Sequence, residues 1–151
     1  MGGLIGENTP TPVVAGLTGI ASHFILDMIP HGDSHLYYEY KAGRGKAKSL
    51  AYTIIDAVAA VAVLIYMLET APYASRGTMV ISVAGAIFPD FLVALAELVP
   101  ARPLKWFART HMRIHDSVAS RIGDIKPWVG NIIQVGLFAF LFFLATVKPL
   151  R

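Results

Sequence analysis

With 151 residues, 55% of them hydrophobic and only 15% charged, the chain has the length of one domain and a composition far from that of a water-soluble protein. Its mean hydropathy of +0.57 and formal charge of +3 point to a membrane rather than to nucleic acid, since so small an excess bears chiefly on orientation at an anionic leaflet. Cysteine is absent, which excludes disulfides and thiolate metal sites, so any metal must be held by imidazole, carboxylate or backbone oxygen.

The first apolar run covers residues 13–29 and ends at Pro30, which lacks a backbone donor. No basic residue precedes it, so it does not read as a signal peptide. It is the least apolar of the runs. Gly16, Gly19, Ala21 and Ser22 are small enough to let another helix approach closely. His23 and Asp27 follow at i,i+4 and project from one helical face. Ionisable groups inside a span usually face the bundle and carry function; the plainer reading is a His–Asp hydrogen bond that only fixes packing.

Beyond this run lie His31, Asp33 and His35, then Lys41, Arg44, Lys46 and Lys48. The second run, 50–68, carries Asp56 about two turns in, at the expected depth of the first run's polar pair. The connection to the third run holds only Glu69 and Arg76. The third run, 78–99, contains Pro89-Asp90 towards its end; the proline frees a carbonyl and kinks the helix, which is tolerated where the break is buried or lines a polar cavity. Glu97 reads as a solvated interface residue.

Arg102, Lys105, Arg109, Arg113, Arg121 and Lys126 make the next connection basic. Within 104–122, Leu104, Phe107, His111, Ile114, His115, Val118 and Ile122 form one stripe at helical spacing, with the basic residues opposite and Trp106 suited to the headgroup level. This is the pattern of an interfacial amphipathic helix. The last run, 128–147, is uniformly apolar and reads as an anchor.

Runs of about 20 apolar residues each suit a bilayer crossing. The expectation is therefore an all-α, polytopic integral membrane protein: one transmembrane domain over 1–151, with four spans and an interfacial helix between spans three and four. Excess lysine and arginine marks the cytoplasmic side, so both basic connections lie inside and both termini outside. Lys148 and Arg151 argue the other way but are outnumbered.

On this topology the candidate ligands gather at one membrane face. His23, Asp27, His31, His35, Asp90, His111 and His115 all fall in or near its cytoplasmic layer. Histidines at i,i+4 can share one metal, and imidazole with carboxylate suits zinc, one ion or two, with manganese, iron or nickel fitting the same donors. Asp33, Asp56 and Asp116 are available to orient ligating histidines or as further ligands. Asp33 and Asp116 are also the candidates for general base. Arg109 and Arg113 are placed to hold a lipid phosphate or to face headgroups.

Ser22-His23-Phe24-Ile25-Leu26-Asp27 resembles the Ser-His-x-x-x-Asp span of the bacterial inner-membrane metal-dependent hydrolases. Phe88-Pro89-Asp90 is similar to their Leu-Pro-Asp element, and His111-Met112-Arg113-Ile114-His115 resembles their His-Arg-x-x-x-His element loosely. The motif order is permuted, and Leu92 stands where the family has a second aspartate. The resemblance implies a membrane-bound hydrolase with a divalent metal, acting on phosphoesters or phospholipids as zinc phospholipases C do. The alternative is non-enzymatic: a metal or proton carrier, or a structural helical bundle. A carrier needs polar residues towards the outer face, which the second and fourth runs lack, unless a homo-oligomer builds the path between subunits.

Overall fold

The computed structural model describes residues 1–29, 34–70, 75–122 and 125–147, and within these leaves aside the side chains of residues 7, 34–36, 118–122, 127 and 145–147. Among the described residues the chain forms seven helices and no strand. They are α1 (Gly2–Glu7), α2 (Pro12–Asp27), α3 (Ser34–Lys41), α4 (Lys46–Thr70), α5 (Arg76–Leu98), α6 (Arg102–Ile122) and α7 (Pro127–Val147). The four apolar runs and the amphipathic stripe thus each become one helix. Two of these, α4 and α5, are long and apolar enough to cross a membrane; α2 and the 128–144 stretch of α7 are shorter apolar helices.

Thr11 starts α2 by accepting a hydrogen bond from the Val14 amide at 3.3 Å, with Pro12 in the first turn where no amide is needed. Ser75 caps α5 in the same way through the Thr78 amide. That helix runs unbroken through Pro89, which is fully buried. Between α3 and α4 the chain reverses through Gly43 and Gly45, at φ +76° and +64°, values that side chains with a Cβ rarely adopt.

The core is built on α5. Gly16 lies against Ile81 and Gly85, and Gly19 against Ser82 and Ala86, so α2 runs parallel to α5 with the two backbones touching. A Cβ on Gly19 would collide with the Ser82 carbonyl oxygen. The expectation that small residues here admit a neighbouring helix is met at Gly16 and Gly19, and the neighbour is α5, while Ala21 is exposed. Ala15, Ser22, Met79 and Ser82 are buried along the seam.

The short α1 was not legible in the sequence. It runs antiparallel to α5, Gly2 beside Ser82 and Ala86, Gly6 beside Thr78 and Met79. Asn8 and Thr9 turn the chain back by capping the Leu4 and Gly6 carbonyls at 2.8 and 3.2 Å.

Around this core, α6 packs on α5, while α4 and α7 touch the rest lightly. No residue of α4 is buried, and Tyr66 meets Phe142 of α7 ring to ring at 5.2 Å. α3 is tied to α5 by Lys41, whose Nζ donates to both Glu97 carboxylate oxygens at 2.8 and 2.9 Å. Glu97 is therefore a half-buried ion-pair partner, not the solvated residue expected from sequence. That pairing holds the Lys41 ammonium above its usual range.

Candidate metal centre

The α2–α5 seam sets the register of the polar residues. One turn beyond Gly19 is His23, and one turn beyond Ala86 is Asp90, so the contact that brings the first pair together brings the second pair to the same level. His23 Nε2 lies 3.7 Å from Asp90 Oδ1. α6 then crosses this end of the seam and presents His111 and His115 from its buried face. His111 Nε2 is 3.6 Å from Asp27 Oδ2 and 3.5 Å from Asp90 Oδ1. His115 Nε2 is 3.9 Å from Asp27 Oδ1.

These distances are informative. They are too long for hydrogen bonds. Two donor atoms sharing one zinc at its usual bond lengths sit roughly 3.4 Å apart, and the histidine–aspartate pairs here are near that spacing. One donor atom from each of His23, Asp27 and His111 lies within 4.8 Å of the other two. Among the described residues, His23 Nε2 and Asp27 Oδ2 are buried without a hydrogen-bond partner. A buried carboxylate oxygen left so is costly unless a cation or proton meets it. The donor set therefore fits a divalent ion of the zinc or manganese type.

The surroundings are apolar on one side. Phe24 and Phe107 flank the His111 ring at centroid distances of 5.6 and 6.1 Å, and the His23 ring lies 5.3 Å away. His111 itself is buried, which pushes its pKa down, while the charges of Asp27 and Asp90 pull it up. Neutral imidazole, the form burial favours, is the one that ligates. Asp90 differs from the rest, its side chain being 67% exposed at the open edge of the cluster.

Beside the cluster, His115 Nδ1 lies 3.3 Å from Asp116 Oδ1, and the Tyr38 hydroxyl of α3 donates to Asp116 Oδ2. That hydrogen bond, first, and partial burial push the Tyr38 phenol up to about 12.

No protein-family model matches the chain, and no curated protein or solved structure is significantly similar to it.

Of the residues singled out from sequence, the structure brings together His23, Asp27, Asp90, His111 and His115, with Asp116 directly behind His115. His31 and Asp33 lie outside the described residues; His35 is in α3, its side chain likewise outside. Asp56 is exposed on α4, which packs chiefly on α3 and α5, so equal depth does not carry it to the cluster. The buried face of α6 centres on Ala108, His111 and His115; Ile114, expected in the stripe, is 39% exposed at its margin. Arg109 and Arg113 are exposed on the opposite side of α6 and point away from the imidazoles. Tyr38 was missed. Nothing local marks it, because its partner lies 78 residues along the chain.

Proposed function

We propose that the protein is a membrane-embedded metal-dependent hydrolase acting on a phosphoester or phospholipid, with four spans and its site at the cytoplasmic face of the inner membrane. The observation that carries this reading is the convergence of three histidines and two aspartates from three helices, with His23 Nε2, Asp27 Oδ2 and His111 Nδ1 buried and without a hydrogen bond among the described residues. The membrane part rests on apolar exposure: Ile55, Val58, Ile132 and Val135 are each more than 60% exposed, on helices whose contacts leave those faces open. Water tolerates no contiguous apolar surface of that extent on an ordinary monomer, whereas lipid does. Basic connections on either side of the site support an inside location.

His23, Asp27 and His111 would hold the ion, with His115 Nε2, beside Asp27, completing the set. A divalent ion held there would polarise a phosphoryl oxygen and bring the ionisation of water close to neutral pH. The chain's own residues do the rest. Phe24 and Phe107 keep the imidazoles in a low-dielectric wall. Asp90, at the open edge, takes the proton as water oxygen bonds to phosphorus and the ester oxygen leaves. Asp116, already engaged on both oxygens, orients His115 instead of serving as base.

Elemental analysis of detergent-purified protein tests the reading, alongside hydrolysis of an aryl phosphodiester and of phospholipid vesicles. Stoichiometric metal, lost in both His23→Ala and Asp27→Ala, with turnover abolished by chelator, is the expected result. Metal-free protein whose hydrolysis ignores chelators removes it. One observation favours a carrier as second reading: Ser82 Oγ is fully buried without a partner among the described residues, two turns before Asp90 on the same helix. Proton or metal flux in proteoliposomes, without hydrolysis, decides for that.

A further inference from the structure

Asp116 joins two elements that sequence gives no reason to associate. Its Oδ1 faces His115 Nδ1 at 3.3 Å, and its Oδ2 accepts from the Tyr38 hydroxyl. His115 is buried to 9% exposure, while Tyr38 on α3 is 48% exposed, so the chain runs from the surface inwards. At its inner end His115 turns Nε2 towards Asp27. We infer that Tyr38 is a positioning residue for the metal centre, acting through Asp116 to hold His115 in the tautomer with the proton on Nδ1 and the Nε2 lone pair aimed at the ion.

The inference rests on the metal-centre reading and adds to it a residue from a separate helix. Its physical basis is the two-sided chemistry of imidazole. A neutral ring carries one proton, and the acceptor met by one nitrogen decides which nitrogen is left to ligate. A carboxylate on Nδ1 settles that choice and raises the basicity of Nε2. A carboxylate free to rotate does so poorly. The Tyr38 hydroxyl fixes the rotation by occupying the second oxygen, and being neutral it leaves the negative charge of Asp116 in place for His115. Phenylalanine at this position keeps the ring and loses only the hydroxyl.

Two measurements separate this from a structural contact. In metal-free protein, the ¹⁵N shifts of the His115 ring report its tautomer directly: protonated Nδ1 in the native chain, a mixture in Asp116→Asn, and a partial shift towards that mixture in Tyr38→Phe. In zinc titrations, Asp116→Asn weakens affinity by roughly ten- to a hundredfold, the usual cost of removing such a partner. Tyr38→Phe weakens it several-fold, and the double variant is no weaker than Asp116→Asn, because Tyr38 acts on the centre through its hydrogen bond to Asp116. Additive losses in the double variant overturn the inference, as does a His115 tautomer indifferent to Tyr38→Phe. If native protein shows the tautomer effects but binds no zinc, the metal reading fails while the relay stands as a hydrogen-bond chain only, and the positioning role is withdrawn.

Discussion

Gly19 and Ser82 meet backbone to backbone, with no room on the glycine for even a methyl group. This contact sets both the distance and the register of α2 and α5, and the polar residues one to two turns further on inherit that alignment. Gly19→Ala is therefore expected to cost about 1–3 kcal/mol through overpacking and to weaken zinc binding by moving His23 and Asp27 away from His111. Thermal unfolding and metal titration of the same variant check both effects. Gly136→Ala, where a Cβ meets nothing within 4 Å, is the matched control and leaves both unchanged.

Val58 tests the bilayer. It lies mid-helix in α4 and is 63% exposed. On a surface in water Val58→Asp is nearly neutral, within about 0.5 kcal/mol. In lipid the same change costs roughly 2.5–3.5 kcal/mol at a span centre. A sharp loss of membrane-integrated protein is expected, with no comparable loss for Lys48→Asp at the helix start. Unchanged insertion counts against α4 as a span.

Tyr38 makes a prediction about alkaline pH. Its phenol is raised from 10.0 to about 12 by its hydrogen bond to Asp116, so the fold favours the protonated form. The stability this contributes is present in full below pH 10 and is lost as pH rises through about 12. Ultraviolet titration of native protein minus Tyr38→Phe isolates this phenol. Its tyrosinate signal is expected near 12, moving towards 10 in Asp116→Asn.

The Lys41–Glu97 pair is bidentate, but the lysine side chain is 48% exposed. Its worth is accordingly modest, about 0.2–1 kcal/mol, and falls with added salt. Lys41→Met is expected to lower the unfolding temperature slightly at low ionic strength and not at high. A salt-independent loss points to the apolar stem of the lysine rather than to its charge.

Local pattern made the apolar helices legible. Four runs bounded by proline, basic clusters or turn residues become α2, α4, α5 and α7 with ends shifted by a few residues at most, because length and apolarity are properties of contiguous chain. The amphipathic period of α6 was equally visible. α1 was not: six residues with three glycines carry no period, and the helix is held by Gly2 and Gly6 against α5. α3 is short and polar, and its attachment through Lys41 and Tyr38 depends on residues far along the chain.

For the candidate site, sequence determined which side chains have the chemistry. Helical rotation it left open, since depth along an axis says nothing about direction around it. Asp56 and Asp90 show the difference: both are carboxylates in apolar helices, and among the described residues it is Asp90 that meets His23 and His111. What settled the matter is the non-local packing of Gly16 and Gly19 on Ser82 and Gly85, which fixes the rotation of α2 against α5, and the seating of Ala108, His111 and His115 on that pair. Apolar runs and loop charge led to the expectation of donors at one level; contact between distant backbones turned them towards each other.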